Sequence, residues 1–271
     1  MNWTVVGARG FIGSAFVRVL RARGEAVTSL THREAATTNA ELGHVIYASG
    51  VAWDAGKRVA DAVAMHVEIP LALLGKRLQS LAYISSTRVY GDAPQTDEEA
   101  VLRVRADDVY GATKAAGEAA ILADPRAGMR IVRLSNVYGP SFGSGLMLSD
   151  FLRQAATTGQ IVVRSSGDSS KDHVSIEDVV DMTLRIATGG AQRVYNIAAG
   201  KNTRQGDLLD ALALASGCNV DVAPGSPTVT FEPIDIRRIS TEFGFTARDV
   251  LRDVPALWEA FRAHFRREAV R

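Results

Sequence analysis

The stretch Val5-Val6-Gly7-Ala8-Arg9-Gly10-Phe11-Ile12-Gly13 decides the fold. The run Trp3-Thr4-Val5-Val6 leads into it and reads as a short buried strand that ends at Gly7. Beyond it, Phe11, Ile12, Ala15, Phe16, Val19 and Leu20 recur at helical spacing, and Gly24 supplies the stop. A strand, a glycine turn and an amphipathic helix in direct succession make a mould for a dinucleotide. Gly7 permits the tight turn, Gly10 leaves no Cβ in the way of a pyrophosphate, and Gly13 lets the helix pack closely on the sheet. The pyrophosphate then faces the positive end of the helix dipole. The spacing is G-x-x-G-x-x-G, a variant of the G-x-G-x-x-G fingerprint that gains its weight from the strand before and the helix after. Gly7, Arg9, Gly10, Phe11, Ile12 and Gly13 are therefore expected to bind the cofactor.

The second strand, Ala26–Leu30, bears on the form of the cofactor. An acid at its tip would accept hydrogen bonds from the ribose hydroxyls of NAD. The chain continues Thr31-His32-Arg33, with Glu34 just beyond. Arg9 in the glycine loop and Arg33 after the strand can pair with a 2′-phosphate. NADP is the expected cofactor, with NAD as the alternative.

Further along, strands are expected at 44–48, 81–85 and 130–134. Helices are expected over 57–78, broken at Pro70, and over Tyr110–Ala123, ended by Asp124-Pro125. This alternation predicts an α/β protein, a Rossmann-type doubly wound parallel sheet with helices on both faces. After Pro140 the rhythm loosens. Helix 146–158, strand 161–163, helix 176–188, strand 194–197 and a final helix Pro255–Arg267 are expected there. Residues 1–140 form the predicted dinucleotide domain, to which some later segments return. Residues 141–271 form mainly a smaller C-terminal lobe expected to bind substrate.

The composition narrows the class. Of the 271 residues, 46% are hydrophobic, enough for a sizeable core. Lys plus Arg is 31 against Asp plus Glu at 30, so no basic field points to nucleic acid. Cys218 is the single cysteine, which fits a reducing compartment, and the five histidines show no metal-ligand spacing. No apolar run approaches the roughly 20 residues that span a bilayer. Nothing resembles a signal peptide before the glycine turn. The expectation is a soluble, cytoplasmic protein without metal or membrane partner.

Tyr110 and Lys114 stand at i and i+4 and so share one helix face. A free phenol has a pKa of about 10 and is a poor base at neutral pH. A neighbouring ammonium is expected to lower it. Tyr110 then gives a proton to a carbonyl oxygen during hydride delivery, or takes one during oxidation. Lys114 is also expected to bond the nicotinamide ribose. A third group should polarise the same oxygen, and Ser85, Ser86 and Thr87 offer hydroxyls at the carboxyl end of a strand, where open α/β sheets bind ligands. Tyr90 and Tyr138 lack a lysine four residues on and are expected to line or pack the cleft.

These residues carry a family resemblance over nearly the whole chain. It resembles an extended short-chain dehydrogenase/reductase of the NAD-dependent epimerase/dehydratase family. The marks are Gly7-Ala8-Arg9-Gly10-Phe11-Ile12-Gly13, Ile84-Ser85-Ser86-Thr87-Arg88-Val89-Tyr90-Gly91, Tyr110 to Lys114, and Arg133-Leu134-Ser135-Asn136-Val137-Tyr138-Gly139-Pro140. Lys171-Asp172-His173-Val174-Ser175-Ile176-Glu177-Asp178 is a looser one. The resemblance implies that Ser86, three residues before Val-Tyr-Gly, is catalytic with Tyr110 and Lys114. It implies substrate contacts at Asn136, and at Thr87 and Lys171 in the same marks. It also implies a nucleotide-activated sugar as substrate and a homodimer through helices 57–78 and 110–123. Dehydrating members carry Asp-Glu after the catalytic hydroxyl; Thr87-Arg88 stands here, so a 4,6-dehydratase is not expected. Lys171 replaces an arginine that sugar epimerases place near the diphosphate, and the second diphosphate arginine has no clear counterpart around Phe231–Ile236.

The leading expectation is an NAD(P)-dependent oxidoreductase that reduces a keto group, or oxidises a hydroxyl, on a sugar. The alternative is a nucleotide-sugar epimerase working through a transient ketone with bound NAD. A third reading is a dinucleotide-binding protein without turnover.

Overall fold

A computed structural model describes residues 1–51 and 54–269. In chain order the elements are β1 Asn2–Val6, α1 Phe11–Ala22, β2 Ala26–Leu30, α2 His32–Thr37, β3 His44–Tyr47, α3 Val59–Val63, α4 Ile69–Leu74, β4 Ser80–Ser86, α5 Val109–Leu122 and β5 Met129–Leu134. There follow β6 Asn136–Tyr138, α6 Met147–Thr158, β7 Gln160–Val163, β8 Ser170–Ser175, α7 Ile176–Gly189, β9 Val194–Ile197, β10 Asn202–Arg204, α8 Gln205–Ser216, β11 Asn219–Val222, α9 Arg237–Phe243 and α10 Val250–Ala269. The chain divides into two compact units. The first holds Met1–Ser135, Glu177–Ile197 and Asp235–Phe245; the second holds Asn136–Ile176, Ala198–Ile234 and Thr246–Arg271.

The first unit is built on a six-stranded sheet in the order β2-β1-β3-β4-β5-β9, every neighbouring pair parallel. Strand order reverses between β1 and β3, which opens a crevice at their carboxyl ends. Central strands read as continuous apolar runs because helices cover both faces: β4 is buried from Ser80 to Ser85 and β5 throughout. One core cluster joins Val6, Tyr47, Leu81, Tyr83 and Ile131. Each such side chain stabilises the fold by roughly 1.5–3 kcal/mol through burial.

A buried polar chain pins α5 to the sheet. Glu118 accepts from Arg133 (Nη2 at 2.7 Å) and from the Ser85 hydroxyl. Arg133 Nη1 donates to the Tyr90 phenol oxygen at 3.0 Å, and that hydroxyl donates to Asn196 Oδ1 at 2.8 Å. The chain crosses β4, α5, β5 and β9. Every polar group in it has a partner, which is the condition for a buried charge pair to be tolerated.

Two helical expectations are corrected. The segment over 57–78 does not break at Pro70. It runs from Val59 to Leu74, with a π turn over Ala64–Glu68 just before the proline. Proline removes the bond to the carbonyl four residues back and its ring presses on that carbonyl, here His66. The π turn redirects it: His66 O accepts the Tyr83 hydroxyl at 2.9 Å, and Met65 O accepts that of Tyr47 at 2.6 Å. The last helix starts at Val250 rather than Pro255. Asp249 caps it by accepting the Leu251 N–H at 3.0 Å, so the helix is under way before the proline is reached.

The second unit carries a three-stranded sheet, β10-β8-β6, and the parallel pair β11-β7. Helices α6, α8 and α10 pack round Leu148, Phe151, Leu152, Leu212, Val254 and Phe261. Among the described residues, no helix is long and apolar enough to cross a membrane.

Candidate active site

The glycine turn is shaped by close approach. Gly7 has φ +84°, and a Cβ there would lie 2.8 Å from the backbone of Ala48 and Ser49 beyond β3. A Cβ on Gly13 would lie 2.1 Å from Gly7 O, so only glycine lets α1 sit on the turn. Gly10 is the N-cap of α1 and makes no side-chain cap bond, and the first turn holds no acid. First-turn amides of α1 thus point out of a turn at the carboxyl end of β1 with no carboxylate competing for them. An anionic pyrophosphate fits that cradle. Phe11 and Ile12, half-buried, open the helix.

Beyond β2, Thr31 caps α2 and Glu34 closes a capping box: its carboxylate accepts the Thr31 N–H at 2.7 Å. That bond holds the Glu34 carboxyl below its ordinary pKa, with a smaller contribution from the Arg9 charge. The one acid near the strand tip is thereby folded back onto its own helix. Arg9 and Arg33 are both exposed. The Thr31-His32-Arg33-Glu34 pattern signals this cap in the sequence, and α2 was not among the expected helices.

Ser86, Tyr110 and Lys114 come together at the carboxyl end of β4. Ser86 ends the strand and caps the turn Thr87–Tyr90, its oxygen accepting the Arg88 N–H at 3.2 Å. Thr87 is half-buried beside it. Across from this turn, Asp108 caps α5 through Gly111 N–H (3.1 Å) and also takes Arg88 Nε at 2.7 Å. One carboxylate thus ties the serine turn to the first turn of the tyrosine helix. The Ser86 hydroxyl stands near enough to the Tyr110 phenol to favour its ionised form, and the Arg88 guanidinium lies 5.8 Å from the ring centre.

Burial raises the Tyr110 pKa, while the Ser86 hydroxyl and the Arg88 charge pull it back. Lys114 is not among the groups that lower it in this structure. Lys114 is 5% exposed and gives its ammonium to Ile84 O at 2.8 Å, over the face of Tyr83 at 4.8 Å. Burial brings its pKa down to about 7 against the opposing charge of Glu118. Arg88 and Asp108 are site residues that the Y-x-x-x-K spacing does not reveal, since their pairing joins positions twenty apart. His66 is another, fully buried and edge-on to the Tyr110 ring at 5.6 Å. A lone histidine in an apolar helix carries no sequence signal.

Tyr90 and Tyr138 are both buried. Tyr90 belongs to the polar chain above, and the Tyr138 hydroxyl donates to Asp253 at 2.7 Å.

Asn136 and Lys171 belong to the second unit. Asn136 is exposed on β6 and donates to Asp172 O at 2.8 Å. Lys171 on β8 lies 5.8 Å from the Phe231 ring centre. Between them Asp172 turns inward, accepting the N–H groups of Ala199 and Gly200 at 2.8 Å each. Strand β8 was not among the expected strands: Ser170-Lys171-Asp172-His173 lacks apolar alternation.

Residues 3–198 match the model of the NAD dependent epimerase/dehydratase family. A dTDP-glucose 4,6-dehydratase of Streptomyces niveus is 29% identical over 187 residues, which are 65% of this chain and 55% of that protein. The structure of TunA, an NAD-dependent NDP-hexosamine 5,6-dehydratase involved in tunicamycin biosynthesis, superposes with a TM-score of 0.86 at 22% identity, covering 97% of this chain and 98% of TunA. RMD from Pseudomonas aeruginosa, solved with NADPH, gives a TM-score of 0.80 at 21% identity and covers 97% of this chain and 100% of RMD. At these identities the structural likeness speaks for the fold.

Proposed function

Because the chain belongs to the NAD-dependent epimerase/dehydratase family, we propose that it is a nicotinamide-dependent oxidoreductase acting on a nucleotide-activated sugar through Ser86, Tyr110 and Lys114. The observation that carries this reading is the placement of Ser86 at the carboxyl end of β4 beside the Tyr110 phenol, with Lys114 one turn further along the same helix and its ammonium on Ile84 O of that strand at 2.8 Å. Two hydroxyls at one strand end offer one place where a substrate oxygen receives two donors.

The nicotinamide, when bound, supplies or accepts the hydride. In the reducing direction, Ser86 holds the carbonyl oxygen and Tyr110 gives it a proton, leaving a phenolate that solvent reprotonates. In the oxidising direction, the phenolate removes the hydroxyl proton. Lys114, as ammonium, stabilises the phenolate when the cofactor and substrate have excluded water. Gly7, Gly10 and Gly13, with Phe11 and Ile12, hold the pyrophosphate. Arg9 and Arg33 favour a 2′-phosphate, because Glu34 is engaged in its own cap; NADP is the preferred form. Asn136, Thr87 and Lys171 contact the sugar nucleotide. A cytoplasmic homodimer through α3–α4 and α5 belongs to the same reading, supported by the exposed apolar residues Val59 and Leu71.

Thr87-Arg88 supplies no acid–base pair for removing water, so net reduction or oxidation is favoured over dehydration. The test is turnover of a dTDP- or UDP-linked 4-keto sugar with NADPH, followed at the nicotinamide absorbance and by product analysis. Tyr110→Phe should abolish it. Interconversion of sugar epimers by protein that retains NAD would replace the reductase with an epimerase. Release of water from dTDP-glucose would replace both with a dehydratase.

A further inference from the structure

We propose that His66 is the positioning residue of this site: one ring nitrogen holds Val51 and the other holds Thr113, and together they set where Tyr110 and Lys114 stand. The inference rests on Tyr110 being the proton donor of the proposed reaction.

His66 lies in the π turn between α3 and α4 and is fully buried. π turns inside helices occur frequently at functional sites. The Val51 N–H donates to Nε2 at 3.2 Å. An amide can only donate, so Nε2 is the acceptor and the ring proton sits on Nδ1. Nδ1–H then donates to Thr113 Oγ1 at 2.8 Å. The Thr113 hydroxyl donates onward to Val109 O (2.8 Å) or Tyr110 O (3.2 Å). Every bond in this chain has its direction fixed by the first donor. Its two ends are backbone groups that do not ionise, so the chain fixes position and does not relay protons.

The fold is cut to fit this ring. A Cβ on Gly50 would lie 2.8 Å from Nε2, and one on Gly117 would lie 2.1 Å from His66 O. Glycine at both places lets the loop after β3 and the middle of α5 close on the histidine. The ring also meets Tyr110 edge-on at 5.6 Å between centres. His66 therefore ties together the end of β3, the π turn and the first turn of α5.

The titratable groups beside His66 are Lys114 and Tyr110 on α5, facing the ring, and Tyr83 on β4, whose hydroxyl donates to His66 O. None is an anion at neutral pH. Burial and the Lys114 charge depress the His66 pKa to about 3. An imidazolium would lose the Val51 bond and stand beside an ammonium, so the ring stays neutral and its tautomer stays fixed.

The test has two readouts. In 15N-histidine protein, the resonance lost in His66→Gln should show a protonated Nδ1 and an unprotonated Nε2, unchanged from about pH 5 to about pH 8. An Nε2–H tautomer, or titration in that range, overturns the proposal. The second readout uses Thr113→Val, which keeps the shape and removes the acceptor. It should shift the 13Cζ resonance of Tyr110, identified by its loss in Tyr110→Phe, and lower kcat about tenfold or more while cofactor affinity holds within about twofold. Thr113→Ser should restore both. An unmoved Tyr110 resonance overturns the proposal even if no substrate is turned over. Turnover failing in the wild type, with the resonance shift intact, counts against the proposed reaction alone.

Discussion

Lys114 gives its ammonium to the carbonyl of Ile84 at 2.8 Å, inside the sheet end and away from water. That placement, one helical turn past Tyr110, gives the site a buried cation whose protonation is poised near neutrality, at a pKa of about 7.

The first prediction concerns stability against pH. The folded-state pKa of Lys114 lies below its ordinary 10.5. Below about 7 both folded and unfolded chains carry the charge, and the folded one bears the full cost of burying it. Between the two pKa values the unfolded chain holds a proton that the folded chain lacks. Stability therefore rises with pH across that window, with a slope approaching about 1.4 kcal/mol per pH unit. Urea denaturation of the wild type and Lys114→Met, at about pH 7 and about pH 9, should show the rise in the wild type alone. Equal slopes would contradict the buried placement.

Ser86→Ala removes the hydroxyl that pulls the Tyr110 phenol pKa down. The phenol pKa should rise further and the second donor to the substrate oxygen is lost. Turnover should fall about a hundredfold or more, with dinucleotide affinity unchanged. Steady-state kinetics together with a cofactor titration separates the two.

Arg9→Ala and Arg33→Ala should each weaken NADPH binding about tenfold and leave NADH binding nearly unchanged, because a charge-assisted pair to a phosphate contributes about 1.5–3 kcal/mol before solvent screening. Fluorescence titration with both cofactors measures it. A preference for NADH in the unaltered protein would remove the role of these arginines.

Glu118→Gln leaves Arg133 buried against a neutral partner. Breaking a buried pair from one side costs about 3–5 kcal/mol, so the urea midpoint should drop well below that of the wild type. A loss under about 1 kcal/mol would mean that the pair is not held as described.

The glycine turn, the sheet strands and the Tyr110–Lys114 spacing were legible because each is written in adjacent residues or one helical period. The parallel sheet followed from their alternation. What escaped lies in pairings between distant segments. The Arg88–Asp108 clasp, the Glu118–Arg133 pair and the His66 bonds join positions whose separation carries no pattern. The direction of the Lys114 ammonium escaped for a related reason. Helical spacing puts it on the face of Tyr110, but the depth of the sheet end decides that its ammonium turns to Ile84. Pro70 misled in the opposite direction. It breaks a regular helix, and only the hydroxyls of Tyr47 and Tyr83, offered from β3 and β4, allow the π turn that carries the chain past it. Strand β8 was hidden because its buried side chains include Asp172 and His173.

The central claim is that Tyr110 moves the proton. Its most direct measurement compares Tyr110→Phe with the wild type in turnover of a nucleotide-linked keto sugar with reduced nicotinamide, alongside cofactor affinity. The account predicts a fall in kcat of about a hundredfold to ten-thousandfold with unchanged cofactor binding. A variant that keeps most of the wild-type rate would contradict it.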